Sequence, residues 1–207
     1  KLFLSSCFKE VAALLPECAG ELSGKRVVFI PAASVVEKVA FFVKSGKKAL
    51  EKLGMVVDEL DLIQADAAEI RRKIADSDAI YICGGNTFFL LQEMKRTGAD
   101  TLIAAAVHAG KLYIGESAGA MVAAHNIEYA ALMDTPKKAP DLQSFDALGL
   151  VDFYPVPHYT NPPFQKAAHK MAEQYGGQFE IKAISNHEAI WVDGDNIAVK
   201  SVARAEQ

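Results

Sequence analysis

Apolar residues fall into short continuous runs separated by longer stretches of helical spacing. Val27-Val28-Phe29-Ile30, ended by Pro31, and Ala79-Ile80-Tyr81-Ile82 are apolar on every position. Such runs suit strands buried on both faces of a parallel sheet. Leu2 to Leu4, Met55 to Leu60 and Leu112-Tyr113-Ile114 read as further strands. Between them, Val39, Phe42, Val43, Leu50 and Leu53 recur at helical spacing over 38–53, and Gly54 follows as a stop. Residues 66–76 place Ile70 and Ile74 on one helical face, and 87–97 and 101–109 form two more helices separated near Gly98. Strands alternating with helices predict an α/β fold, a mostly parallel sheet in three layers with helices on both faces. The tail changes character: 181–184, 189–192 and 197–202 are short strands around the turn Asp193-Gly194-Asp195-Asn196, which predicts an antiparallel pair at one edge. The 207 residues carry no repeat or linker and are expected to form a single domain, 1–207.

Composition narrows the function classes. The net charge is −4 and basic residues cluster no further than pairs such as Lys47-Lys48, so nucleic-acid binding and membrane-surface binding have no electrostatic footprint. No apolar run approaches the ~18 residues of a membrane span. Three cysteines, Cys7, Cys18 and Cys83, are odd in number and lack metal-ligand spacing, which fits a reduced, cytoplasmic setting and implies no metal. No organic cofactor is implied either.

The candidate chemistry lies at Gly115-Glu116-Ser117-Ala118-Gly119-Ala120. An apolar strand precedes this G-x-S-x-G and a small-residue helix over 118–124 follows, the context of a nucleophile elbow. The glycines let the backbone turn sharply enough to expose Ser117, with the Ala118 N–H aimed where an oxyanion would form; the alternative is a strand–helix turn whose serine only caps the helix. A serine nucleophile needs a base, and His158 is the best placed of five histidines. It follows a strand expected from Val151, and Pro157 stiffens the backbone that aims it. The turn Cys83-Gly84-Gly85-Asn86-Thr87 offers a second oxyanion donor, with Asn86 or Thr87 capping the helix that follows. In a parallel sheet the carboxyl ends of the strands share one edge, so 83–87, 115–119 and 154–158 are expected to converge there.

Four segments in order resemble the motifs of the peptidase E group of serine peptidases, which includes the aspartyl dipeptidases and, more distantly, cyanophycinase. They are Tyr81 to Phe88, Gly115 to Ala120, Phe145-Asp146-Ala147-Leu148-Gly149-Leu150, and Pro157-His158-Tyr159-Thr160-Asn161. The resemblance runs over nearly the whole chain. It implies a class I glutamine-amidotransferase-like fold, a Ser-His-acid triad, and cleavage of short peptides after an N-terminal acidic residue. It assigns Ser117 as nucleophile, His158 as base, and Gly85 and Ala118 as oxyanion donors. It places Asn86 against a small peptide substrate, with Thr87 beside it, in a monomer or homodimer. Hydrolysis of isoaspartyl or cyanophycin-like amides on the same triad, and non-catalytic ligand binding at the strand edge, are the alternative readings.

The chain departs from the group's pattern twice. The group's acid lies some fifteen residues past the serine, a count that falls near Leu132; Asp134 is the nearest acid, with Glu128 and Glu116 as alternatives. The aspartyl dipeptidases carry an arginine shortly after the histidine that pairs with the substrate carboxylate. This chain has no arginine between Arg96 and Arg204, and Lys166 and Lys170 are the cations in the matching stretch. A lysine is a point charge and cannot reproduce a bidentate guanidinium contact, so weaker selection of acidic residues is expected.

Overall fold

The computed structural model describes residues 1–38 and 40–202. Seven strands form one sheet in the order β3-β2-β4-β5-β1-β8-β9. They are β1 (Leu2–Ser5), β2 (Arg26–Ile30), β3 (Val56–Glu59), β4 (Ala79–Ile82), β5 (Leu112–Glu116), β8 (Glu188–Asp193) and β9 (Asn196–Ser201). The first five pair in parallel, while β8 pairs antiparallel with both β1 and β9, so the fold is α/β with the antiparallel edge expected from the tail. The remaining strands, β6 (Tyr154–Val156) and β7 (Ile181–Ala183), leave the main sheet and pair in parallel with each other.

Strand periodicity divides the core into two layers. Leu2, Leu4, Val28, Ile30, Ile80 and Ile82 face one side, where they meet helices α4 (Ala67–Asp76), α5 (Thr87–Thr97), α6 (Ala99–His108) and α7 (Ala118–Met121). Phe3, Val27, Phe29, Ala79 and Tyr81 face the other, against α1 (Phe8–Val11), α2 (Leu15–Ala19) and α3 (Phe41–Lys52). The last helix, α8 (Gln165–Tyr175), packs through Ala168 and Met171 into the first layer. The α3 helix starts later than the periodicity suggests, and Val39, assigned to it from spacing, lies outside the described residues. The strand expected from Val151 starts only at Tyr154.

Two features of this frame position the site. Ser117 N–H donates to the Ser5 carbonyl at 2.8 Å, extending the β5–β1 ladder by one rung to the residue where the chain turns into α7. Gly119 packs so closely on β4 that a Cβ there would lie 2.2 Å from the Ile82 carbonyl oxygen, so α7 can sit over the strand ends only with glycine at this position.

Candidate active site

Ser117, Gly84–Gly85 and His158 meet at the carboxyl ends of β4, β5 and β6. Ser117 adopts φ 50° and ψ −105°, and His158 φ 62°. Among the described residues these are the only non-glycine positions with positive φ. Backbone strain of this kind costs about 1–3 kcal/mol per residue and persists where surrounding structure over-determines it. The bracing is visible. Ala120 and Met121 N–H donate to the Ser117 carbonyl at 2.9 and 3.0 Å, and His158 N–H donates to the buried Ser6 hydroxyl at 2.9 Å.

The Ser117 Oγ lies 3.0 Å from His158 Nε2, and His158 Nδ1 lies 2.8 Å from Asn186 Oδ1. An amide oxygen only accepts, so Nδ1 carries the proton of the neutral ring and Nε2 presents its lone pair to the serine O–H. Burial lowers the pKa of His158, and the bond to Asn186 offsets this in part. The imidazole is therefore held neutral, the form in which it accepts a proton. Asn186 is itself fixed: its N–H donates to Asn161 Oδ1 at 2.8 Å.

Asp134, the acid expected to complete the triad, is placed elsewhere. Its Oδ2 accepts from Thr87 N–H at 2.9 Å and from the Thr87 hydroxyl at 2.5 Å. The carboxylate thus ties its loop to the first turn of α5, and the third group on the imidazole is Asn186. Burial raises the pKa of Asp134, and the bonds from Thr87 oppose that shift. Of the alternatives, Glu128 is exposed, and Glu116 turns away from Ser117 into the opposite core layer. There its carboxylate accepts from Phe8 N–H at 2.9 Å and from the Tyr81 hydroxyl at 2.7 Å. Burial raises the Glu116 pKa, while those donors favour its ionised form. The same burial, with Glu116 nearby, pushes the Cys7 thiol up to about 11.

The Gly84–Gly85 turn passes close to the serine: a Cβ on Gly84 would stand 3.2 Å from the Ser117 Cβ. Gly85 has φ +134°, and a Cβ there would fall 2.1 Å from the Ala33 carbonyl oxygen, so only glycine fits. Asn86 is the cap of α5, accepting from Phe89 N–H at 3.0 Å, and its Nδ2 donates to the Thr135 carbonyl at 3.2 Å. Thr87, expected to cap the helix, follows the cap Asn86 and does not serve as it. It is fully buried and its hydroxyl is spent on Asp134.

These groups open into a cavity of about 840 Å³ whose lining includes Ser117, His158, Gly85, Asn86, Asp134 and Asn186. Its apolar wall comes from residues such as Phe41, Phe42, Leu132, Met133 and Phe164. Lys138 also lines it, but its ammonium pairs with Glu37 at 2.7 Å. Lys166 and Lys170, the cations considered for an acidic substrate, are not among the lining residues.

Sequence reasoning missed Asn186 and Ser6. Neither belongs to a motif, and a search for a triad acid passes over an asparagine. The one available signal was position: Asn186 lies two residues before β8, the strand that pairs with β1, so it lies at the same sheet edge as Ser117.

Fold and site together define an α/β protein that carries a strained serine at a strand–helix turn, 3.0 Å from an imidazole, at the carboxyl ends of the sheet strands. Comparison with known proteins gives the family: the model of peptidase family S51 matches residues 2–200, and the chain belongs to that family. An uncharacterized peptidase of Listeria monocytogenes is 52% identical over 202 residues, covering 98% of each chain. Peptidase E of Citrobacter koseri is 38% identical over 148 residues, 71% of this chain and 61% of that protein. A crystal structure from Listeria monocytogenes that carries a provisional peptidase E name superposes with a TM-score of 0.93 at 51% identity over 98% of both chains. The fold also recurs, at TM-score 0.70 and 22% identity, in a peptidase from an acI-B1 actinobacterium.

Proposed function

We propose that this peptidase is a serine hydrolase that cleaves di- or short peptides through an acyl-enzyme. The observation that carries the reading is the 3.0 Å contact between Ser117 Oγ and Nε2 of His158. In the first step Ser117 Oγ attacks the scissile carbonyl carbon while Nε2 takes the hydroxyl proton. The carbonyl oxygen becomes an oxyanion and rests on the N–H groups of Gly85 and Ala118. His158, now cationic, gives its proton to the leaving nitrogen, and the C–N bond breaks. A water then loses a proton to the same Nε2, attacks the ester carbonyl and releases the acid with Ser117 restored.

Asn186 acts in this scheme as a positioning residue. It fixes the tautomer and orientation of His158 and stabilises the imidazolium by a dipole rather than a full charge. Asp134 holds the loop that forms one side of the cavity.

The test is covalent labelling with a fluorophosphonate together with hydrolysis of a dipeptide library. Wild type should label at Ser117, and Ser117→Ala should lose labelling and several orders of magnitude of hydrolysis while keeping its fold. A folded Ser117→Ala variant that still hydrolyses peptides at the wild-type rate would refute the assignment.

A further inference from the structure

The wall of the cavity next to the imidazole is apolar, exposed and unassigned. Pro162, Pro163 and Phe164 are three consecutive apolar residues, all solvent-exposed, and all line the cavity that holds Ser117. The Phe164 ring lies 5.1 Å from the His158 ring, inclined at 36°, and keeps 39% of its surface exposed. Exposed apolar runs are uncommon on soluble domains and mark places where a ligand covers them.

Charge points the same way. Five residues with ionisable side chains line the cavity, Glu37, Lys38, Glu116, Asp134 and Lys138; the Glu116 carboxylate turns away into the core, and none of the five comes from 162–164. The Lys138 ammonium is occupied by Glu37 at 2.7 Å. A substrate carboxylate set against Phe164 would give up water with no cation from this wall to replace it, whereas an apolar side chain would gain by covering the ring.

The position of Phe164 says which substrate residue it meets. In acyl transfer the imidazole that took the serine proton delivers it to the leaving nitrogen, so the residue after the scissile bond sits by the imidazole. Phe164 packs on that imidazole.

Resting on the hydrolase reading above, we infer that Phe164, with Pro162 and Pro163, forms a binding surface for a large apolar side chain on the residue that follows the scissile bond. The preferred substrates are short peptides with Leu or Phe in that position, and Phe164 is a specificity-determining residue.

The experiment compares kcat/KM for Ala-Leu, Ala-Phe, Ala-Gly, Ala-Asp and Ala-Lys in wild type, Phe164→Ala and Phe164→Leu. Wild type should favour Ala-Leu and Ala-Phe over the other three by about tenfold, the scale of covering part of one apolar side chain. Phe164→Ala should lose about tenfold with Ala-Leu, chiefly through KM, and much less with Ala-Gly, and Phe164→Leu should restore most of the difference. Equal losses on all five substrates would show that Phe164 merely orients His158, and wild-type preference for Ala-Asp or Ala-Lys would also overturn the inference. Calorimetric binding of the same dipeptides to Ser117→Ala separates this from the hydrolase reading. If wild type neither labels nor cleaves yet the variant binds Ala-Leu more tightly than Ala-Gly and Ala-Asp, the chemistry is wrong and the apolar surface stands. If labelling succeeds but no such order appears in binding or cleavage, the surface is refuted alone.

Discussion

Replacing Asn186 tests the site where it departs from a triad with an acid. The Nδ1–H of His158 donates to a neutral oxygen at 2.8 Å, so in the proposed mechanism the imidazolium would be balanced by a dipole. Asn186→Asp would set a full negative charge beside the same nitrogen. An opposite charge at this range raises a histidine pKa by about 1–3 units, and each unit corresponds to about 1.4 kcal/mol between the two protonation states. The direction follows from burial, which already lowers the wild-type pKa. In the proposed mechanism His158 works as a base only when neutral, so activity should fall as pH drops through its pKa. Wild type should therefore stay active below the ordinary histidine range. In Asn186→Asp the acid limb should move up by about 1–3 units. Asn186→Ala has a different signature: it leaves a buried N–H without a partner and frees the ring to change tautomer. At about 1–3 kcal/mol for the orphaned group, the loss should be about 10- to 100-fold with little movement of the limb.

The second-order rate of fluorophosphonate labelling, followed from pH 4 to pH 9, measures all three proteins without a known natural substrate. An Asn186→Asp limb that coincides with wild type, or an Asn186→Ala rate within twofold of wild type, would refute the role given to Asn186.

Two further substitutions probe the supports of the site. Gly46→Ala, in the middle of α3, would normally stabilise a helix by about 1 kcal/mol; here the new Cβ would stand 2.5 Å from the Tyr81 hydroxyl that donates to Glu116, so thermal denaturation should show a loss of about 1–3 kcal/mol instead. Adding Tyr81→Phe should relieve that clash, and a Gly46→Ala protein more stable than wild type would contradict the packing described. Asp134→Asn removes one acceptor from the pair of Thr87 donors and should lower stability by about 1–2 kcal/mol, with labelling and hydrolysis reduced less than tenfold; a thousandfold loss in a folded protein would return Asp134 to the chemistry.

The parts of the fold legible in the sequence are those where pattern and burial agree. Four consecutive apolar residues at 79–82 have the observed bounds of β4, and 87–97 those of α5, because each is a regular element bounded by turn residues. The two short helices and the 3-10 turn between Phe8 and Ala19 had no such signal, since no segment there is long enough to show a period. The pairing of β6 with β7 joins residues far apart in the chain and leaves no local trace. In the site, Ser117 and His158 stood out because motif and chain order name them. Asn186 did not, because a neutral amide in a loop resembles any turn residue, and counting toward an acid led to Asp134. That carboxylate was found where burial and helix-end donors could hold it, not where a triad would use it.

The two strained residues share one brace, and it leads to a last prediction. Ser117 leans on the Ser5 carbonyl through its N–H, and His158 leans on the hydroxyl of the next residue, Ser6. The Ser6 hydroxyl also donates to the Ile184 carbonyl at 3.1 Å, which joins the loop carrying Asn186 to the end of β1. One buried hydroxyl therefore sets the distance between the imidazole, its partner and the strand that holds the serine. Ser6→Ala would orphan the His158 N–H at the residue whose backbone is already at φ 62°. The expected loss of stability is about 1–3 kcal/mol, or roughly 2–10 °C in Tm for a chain of this size. If the brace aims the base, the labelling rate should fall by at least tenfold at every pH, because the geometry of proton transfer is lost while the His158 pKa is not specifically altered. Ser6→Thr keeps the hydroxyl and should recover most of the rate. A Ser6→Ala protein that loses stability but labels as fast as wild type would show that the strained histidine is held by Asn186 and Ser117 alone.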